Sequence, residues 1–173
     1  MRDKSHSSQA RLALAEDLVR RAHHAGATLI VNDRADIARL AGADGVHVGQ
    51  EDLAVADARA VVGADAIVGI STHDPAQVDA AAKTDATYIA VGPIYGTTTK
   101  ETGYEARGLD FVDYAARQGR PVVAIGGITL ERAPEAIAAG AAAVAVISDL
   151  LREDPAEMVR RFRRRLGAAA AAR

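Results

Sequence analysis

Short apolar runs alternate with helical patterns along the whole of this 173-residue chain. The runs are apolar throughout, which is typical of parallel strands that are buried on both faces. A strict alternation of strands and helices predicts a parallel sheet covered by helices, in the α/β class. The six predicted strands are residues 29–31, 45–48, 66–70, 88–91, 122–125 and 143–147.

Apolar residues at helical spacing mark the segments between these strands. Leu12, Ala15 and Val19 mark the first helix, and Ser7 or Ser8 is its expected cap. Pro75 stands where the first turn of a helix tolerates proline. We predict a single domain over residues 1–167, followed by an alanine-rich tail at 168–173. The other predicted helices cover residues 37–40, 55–62, 109–118, 130–139 and 155–166.

Two architectures fit this order of elements, a closed (β/α)8 barrel and an open doubly wound sheet. The glycine-rich fingerprint of a dinucleotide-binding sheet does not follow the first strand, which counts against that kind of open sheet. Polar residues follow every strand, as in a barrel whose site is built from many strand-to-helix loops. We therefore predict a TIM-type barrel, although a complete one usually needs about 200 residues or more.

The composition excludes several functional classes. A formal charge of −2 provides no strong field for nucleic acid or anionic lipid. The chain has no cysteine, which excludes disulfides and cysteine-ligated metals and agrees with a cytoplasmic location. No apolar run approaches the ~20 residues that span a bilayer, and the first residues lack the apolar region of a signal peptide. We expect neither a nucleic-acid nor a membrane partner.

Two aspartates follow neighbouring predicted strands. Asp33 comes after the strand at 29–31, and Asp52 comes after the strand at 45–48. Neighbouring strands lie about 4.8 Å apart, so both carboxylates can approach one small cation. Magnesium needs only one or two carboxylates, because water and phosphate oxygens complete its shell. Taken alone, each aspartate is more typical of a helix cap, but together with the other segments they favour a magnesium site.

The loop at residues 92–100, Gly-Pro-Ile-Tyr-Gly-Thr-Thr-Thr-Lys, presents three hydroxyl groups and one ammonium group. Together with Asn32 and Ser71 at other strand ends, Lys100 supplies the donors and the charge that a pyrophosphate requires. Arg2 and Lys4 would join this set if they end a preceding strand, although their local sequence alone favours a frayed terminus.

A second phosphate subsite is expected after the last two strands, where Gly126-Gly127 and Ser148 stand. These loops of a barrel often bind phosphate through backbone N–H groups, and glycine lets the backbone approach the anion closely. Tight turns also use paired glycines.

The five histidines show no metal-binding spacing, and His47 is interpreted as a strand residue. The arginines at 160, 161, 163, 164 and 165 are interpreted as the wet face of an amphipathic helix.

Five segments stand in order and at plausible spacing. They are Val31-Asn-Asp-Arg34, Gly42-Ala-Asp-Gly-Val-His-Val-Gly-Gln-Glu-Asp52, Gly69-Ile-Ser-Thr-His73, the loop at 92–100, and Val123-Ala-Ile-Gly-Gly-Ile128. Together they resemble the thiamine-phosphate synthase family, and the resemblance runs from Arg2 to about Leu151. It implies a (β/α)8 barrel that joins hydroxymethylpyrimidine pyrophosphate to thiazole phosphate, giving thiamine phosphate and pyrophosphate. In that family pyrophosphate leaves first, and the thiazole nitrogen then captures a pyrimidine carbocation.

The resemblance also implies roles for individual residues. Asp33 and Asp52 would hold Mg²⁺. Stabilisation of the leaving group would make Arg2, Lys4, Ser71 and Lys100 catalytic. The implied pyrophosphate contacts are Arg2, Lys4, Asn32, Ser71 and Lys100. The implied contacts of the thiazole phosphate are Thr97, Thr99, Gly127, Ile147 and Ser148.

The chain departs from the family pattern at its start, where Met1-Arg2-Asp3-Lys4 matches only the end of the family's second strand. The resemblance therefore implies an incomplete barrel, without its first strand, first helix and most of its second strand. Met1 is then expected to be internal to a longer natural protein. Two alternatives remain: a related thiazole tautomerase, and a non-catalytic remnant that binds phosphorylated ligands. Pro93, Asp33, Asp52 and Lys100 favour the synthase over the tautomerase.

Overall fold

The computed structural model describes residues 1–3, 5–96 and 104–171, and for residues 168–171 it describes only the backbone. The chain divides into two compact units. The first contains Met1–Ser71 and Lys83–Thr87, and the second contains Thr72–Ala82 and Tyr88–Arg173. In both, parallel strands alternate with helices. The predicted α/β class is therefore confirmed.

The first unit begins with a long helix and continues with three strands. Its elements are α1 (Ser8–His24), β1 (Ile30–Asn32), α2 (Ala35–Ala41), β2 (Gly45–Val48), α3 (Val55–Val62) and β3 (Ile67–Thr72). The last residue of β3 belongs to the second unit. Of the two serines expected to cap α1, Ser7 does so, because its hydroxyl accepts the N–H of Ala10 at 3.3 Å.

The strands β1, β2 and β3 pair in parallel and in that order. Val31, Val46 and Val68 are register partners across the three strands, and each is at most 3% exposed. They form one apolar core with buried residues of α1, α2 and α3. Because side chains alternate along a strand, the register partners Asn32 and His47 project from the opposite face of the sheet. Asn32 and His47 thus lie on the face of the sheet that is opposite the apolar core formed with the helices.

The second unit contains the other three strands. Its elements are α4 (Pro75–Ala82), β4 (Tyr88–Val91), α5 (Leu109–Ala116), β5 (Val122–Ile125), α6 (Ala133–Ala138), β6 (Ala143–Ala145), a 3₁₀ helix (Ser148–Leu151) and α7 (Pro155–Ala171). The strand β5 pairs in parallel with β4 on one side and with β6 on the other. Ile89, Val112 and Val122 are almost completely buried in its core. The order of strands again follows the order of the chain.

The helix predicted at 130–139 begins later than expected, at Ala133. The N–H of Leu130 donates to the carboxylate of Asp149, and the N–H of Arg132 donates to the hydroxyl of Thr129. Both donors are therefore satisfied by side chains, and the segment before Ala133 is a turn. The sequence shows only an apolar pattern here, which does not reveal the contact with Asp149.

The helix α7 is longer than predicted, because it continues to Ala171 instead of ending at Leu166. Alanine has the highest helix propensity, so residues 168–171 extend the helix and the predicted tail is helical up to this point. Met158 and Phe162 are buried, and most of the arginines are exposed, which confirms the predicted wet face. Within the described part of the chain, no helix is long and apolar enough to cross a membrane.

Candidate active site

The predicted metal ligand Asp33 directly follows Asn32, the last residue of β1. Its φ of 67° is in the left-handed region, and no other non-glycine residue in the described ranges has a positive φ. Aspartate tolerates this conformation better than most residues, but it still costs about 1 kcal/mol or more. The N–H of Asp33 donates to the carbonyl of His47 at 2.8 Å. This bond fixes the turn of Asp33 against β2.

The predicted metal ligand Asp52 lies in the exposed turn after β2, where its Oδ2 accepts the N–H of Gly49 at 2.7 Å. The sequence left open that Asp33 and Asp52 are helix caps. The N-cap residues of α2 and α3 are instead Arg34 and Ala54. The helix-cap interpretation is therefore wrong for both aspartates, and Asp52 stabilises a turn.

Asp33 and Asp52 provide the kind of ligand that magnesium prefers, since both are carboxylates at strand ends of the first unit. One oxygen of Asp52 is engaged by Gly49, so its other oxygen would serve the metal. Among the described residues, no group of three or more histidine, aspartate or glutamate side chains is placed to hold a metal. Such a group is not required, because phosphate and water oxygens normally complete a magnesium shell.

Ser71 is held by two other residues of the first unit. Its hydroxyl oxygen lies 2.7 Å from Nε2 of His47, and its carbonyl accepts Nε2 of Gln50 at 2.6 Å. The sequence singled out Ser71 but treated His47 as a strand residue only. His47 is indeed in β2, but its side chain contacts a predicted substrate ligand. A polar residue between two buried valines was the available signal.

Arg2 follows a residue that is paired with the edge of β1. The N–H of Asn32 donates to the carbonyl of Met1 at 2.8 Å, and the amino group of Met1 donates to the carbonyl of Ile30. Met1 therefore makes the two bonds of a parallel strand partner, and Arg2 stands at the end of that pairing. Lys4 lies outside the described residues, as do Thr97, Thr99 and Lys100.

In the second unit, the loops after β4 and β5 pack backbone against backbone. The N–H of Tyr95 donates to the carbonyl of Gly126 at 3.0 Å. Gly127 has a φ of 63°, and a Cβ atom there would lie 2.6 Å from the carbonyl oxygen of Gly96. Only glycine fits this position without a shift of the backbone. The predicted phosphate-binding glycine is thus required by the loop itself.

Three side chains, those of Arg132, Tyr95 and Glu135, form a chain of contacts that begins at the carbonyl of Gly127. Arg132 Nη1 donates to the carbonyl of Gly127 at 3.0 Å, and its guanidinium lies 4.6 Å from the centre of the Tyr95 ring. The hydroxyl of Tyr95 donates to Glu135 at 2.9 Å. Burial, and then this hydrogen bond, raise the pKa of Tyr95 to about 12. The sequence did not single out Arg132, because its distance from Gly127 in the chain gives no sign of the contact.

The predicted ligands Ile147 and Ser148 lie where β6 leads into the 3₁₀ helix, and both are exposed. Next to them, Asp149 is only 4% exposed, and its carboxylate accepts the N–H of Leu130 at 2.9 Å. This bond connects the segment after β5 with the segment after β6. Gly127, Ile147 and Ser148, the three predicted ligands of the thiazole phosphate in the described part of this unit, all lie within these segments.

A model of the thiamine monophosphate synthase family, designated TMP-TENI, matches residues 1–150. The chain belongs to this family. It is 47% identical over 162 residues to the thiamine-phosphate synthase of Mycobacterium bovis, covering 91% of this chain and 72% of the relative. The enzyme of that name from Acidothermus cellulolyticus is 44% identical over 174 residues, covering 98% of this chain and 82% of the relative.

A solved structure from the same family agrees with the fold. Thiamine phosphate pyrophosphorylase from Pyrococcus furiosus superimposes with a TM-score of 0.89 at 27% sequence identity. The match covers 98% of this chain and 82% of that chain. This match supports the predicted TIM-like barrel fold. The expected absence of an N-terminal strand and helix stays a prediction.

Proposed function

We propose that the protein couples hydroxymethylpyrimidine pyrophosphate to thiazole phosphate, forming thiamine phosphate and releasing pyrophosphate. Membership of the thiamine monophosphate synthase family carries this proposal, since the Mycobacterium bovis relative named for this activity shares 47% of aligned residues over 91% of the chain. The protein needs no nucleophile for such a coupling. It must orient two bound reactants and stabilise the negative charge of the leaving group.

The first unit would bind the pyrophosphate group. Asn32 and Ser71 are neutral hydrogen-bond donors at strand ends, and Arg2 adds positive charge beside β1. Donors that are already held in place stabilise developing charge without reorganising during the reaction. The bonds that Ser71 makes with His47 and Gln50 provide such an arrangement. Lys4 and Lys100 complete the proposed set.

Asp33 and Asp52 would hold a magnesium ion. When bound, it would neutralise charge on the oxygens of the departing pyrophosphate. The left-handed backbone of Asp33 supports this assignment, because strained residues of this kind are concentrated at functional sites. The turn formed by Gly49 and Asp52 restricts how Asp52 can present its carboxylate.

The second unit would bind the thiazole phosphate. The backbone of Gly127, supported by Arg132, would donate an N–H group to the phosphate. The hydroxyl of Ser148, next to the buried Asp149, would add another donor. Ile147 is 53% exposed and would provide apolar contact with the ligand. Thr97 and Thr99 would supply further hydroxyl groups.

A coupling assay with both phosphorylated substrates and magnesium tests the proposal. We expect formation of thiamine phosphate, measured together with released pyrophosphate. In Asp33→Asn the rate should fall about a hundredfold, which is about 2.7 kcal/mol in activation free energy, because one charged ligand of the magnesium ion is lost. Asp57→Asn is the matched control, since Asp57 is an exposed residue in the first turn of α3. Isomerisation of the thiazole without coupling would instead indicate a tautomerase, and binding without any turnover would indicate a non-catalytic protein.

A further inference from the structure

We propose that His47 is a positioning residue that orients the hydroxyl of Ser71 towards the pyrophosphate. This inference rests on the proposed function, which assigns Ser71 to that group. It begins from a contact of 2.7 Å between Nε2 of His47 and Oγ of Ser71. The two residues are 24 positions apart in the chain, on the neighbouring strands β2 and β3.

The register of the sheet explains why these side chains meet. His47 is opposite Asn32 on one side and opposite Gly69 on the other. Gly69 has no side chain, so it leaves room beside His47, and Ser71 lies on the same face two residues further along β3. Asn32, His47 and Ser71 are therefore three polar residues on the face opposite the apolar core of the first unit.

The chemistry of a hydroxyl group sets the direction of the hydrogen bond. Serine has a single O–H donor and two lone pairs. If Ser71 donated its hydrogen to His47, it would present only lone pairs to an anion, which are repelled by phosphate oxygens. Ser71 can donate to phosphate only if His47 donates from Nε2 to its lone pair. The proposed binding of pyrophosphate thus requires a hydrogen on Nε2 of His47, which the Nε2–H tautomer of the neutral ring provides.

The backbone around this pair is fixed by separate bonds. Gln50 donates to the carbonyl of Ser71 at 2.6 Å, and the carbonyl of His47 accepts the N–H of Asp33 at 2.8 Å. A substitution of the His47 side chain leaves its backbone carbonyl in place, so the turn at Asp33 keeps its acceptor. Side-chain variants at position 47 therefore remove the contact with Ser71 while this backbone bond remains.

Two substitutions separate donation from packing. His47→Phe keeps a planar ring but has no N–H donor, whereas His47→Gln keeps an amide N–H at a similar distance from the backbone. Binding of magnesium pyrophosphate to the intact protein is measured by calorimetry. We expect His47→Phe to weaken binding about tenfold, as for the loss of one hydrogen bond to a charged network, and His47→Gln to retain most of the affinity. If His47 contributed only packing, His47→Phe would bind magnesium pyrophosphate more tightly than His47→Gln.

A double-mutant cycle with Ser71→Ala tests whether His47 acts through Ser71. In the Ser71→Ala background, His47→Phe should cause almost no further loss. His24→Phe, at the exposed end of α1, is the matched control and should bind like the wild type. Wild-type affinity in His47→Phe while Ser71→Ala binds weakly would overturn the inference. An equal loss from His47→Phe in both backgrounds would overturn it as well.

Steady-state kinetics provide the second measurement. In His47→Phe the rate of coupling should fall while the KM for thiazole phosphate stays unchanged, because the second substrate is assigned to other residues. An equal rise of both KM values would contradict a positioning role. If the wild type fails to couple the substrates, the proposed function is wrong. The calorimetric cycle would still decide whether His47 orients Ser71 in a pyrophosphate site.

Discussion

The carboxylate of Asp149 accepts the backbone N–H of Leu130 at 2.9 Å, although nineteen positions separate the two residues. Asp149 is buried, and Arg152 pairs with its other oxygen at 3.2 Å from a largely exposed position. The bond holds the segment that contains Gly127 to the segment that contains Ser148. One side chain thus connects two parts of the proposed subsite for thiazole phosphate.

Asp149→Ala should lower the free energy of unfolding by about 1–3 kcal/mol, because it leaves the N–H of Leu130 without an acceptor. It should also raise the KM for thiazole phosphate more than the KM for the pyrimidine substrate. Asp149→Asn keeps an acceptor of the same size and should be milder in both measurements. Urea unfolding and initial rates check these expectations. Equal effects of the two substitutions would show that the charge, and not the hydrogen bond to Leu130, is what matters.

Gly127→Ala should damage the loop after β5. Its positive φ disfavours any side chain, and the new methyl group would lie 2.6 Å from the carbonyl of Gly96. We expect a loss of thermal stability and weaker binding of thiazole phosphate. Gly167→Ala is the control, since nothing lies within 4 Å of a Cβ atom there and alanine favours the helix α7 by up to about 1 kcal/mol. Equal melting temperatures for the two variants would contradict the close packing at Gly127.

The sequence predicted the regular elements well where glycines or prolines bound a continuous apolar run. The strand β2 and the helix α3 have the predicted limits, and Gly63 directly follows the helix. In both places local chain preferences and burial favour the same structure. The predicted start of the helix at residue 130 was wrong, because the side chain of Asp149 satisfies Leu130 from a distant part of the chain.

The sequence predicted which polar residues stand at strand ends and could form the site. It did not predict the contacts that hold those residues in place. Ser71 was identified from its place after a strand, whereas the bond from His47 depends on the register between β2 and β3. Arg132 likewise reaches Gly127 only because of the turn before α6. Periodicity reports which face of an element is buried, but it carries no information on which distant polar groups meet.

Arg59 joins the end of α3 to the segment Lys83–Thr87 of the first unit. Its guanidinium donates to the carbonyls of Ala64 and Ala66 at 2.9 Å, and to the carbonyl of Asp85 at 2.7 Å. Arg59→Lys cannot reproduce this fork of donors. We expect the free energy of unfolding to fall by about 2–4 kcal/mol, measured in urea.

Arg117→Lys is the matched control for Arg59. Arg117 is largely exposed and pairs with Asp113 one turn earlier on α5, so the substitution should change stability by no more than about 0.5 kcal/mol. Similar losses in the two variants would show that the hydrogen bonds of Arg59 to the backbone contribute no more than a surface ion pair.

Alkaline pH should destabilise the fold through two tyrosines. Burial raises the pKa of Tyr88 to about 12 from an ordinary value of about 10, and burial with the Glu135 hydrogen bond raises that of Tyr95 to about 12. A pKa raised in the folded state means that folding favours the neutral phenol. This contribution to stability is therefore complete below about pH 10 and is lost as the pH rises towards 12.

Absorbance of the phenolate and the free energy of unfolding, both measured from pH 9 to 12, check this expectation. Tyr88→Phe removes one raised group, so its stability should fall less between pH 10 and 12 than that of the wild type. At pH 9 both phenols are largely neutral in the folded and in the unfolded protein. The slopes of stability against pH should therefore agree there between the wild type and Tyr88→Phe. Burial is what raises the pKa of Tyr88. If the Tyr88 phenol instead ionised near pH 10 in the folded protein, solvent would reach the start of β4 and the prediction would be wrong.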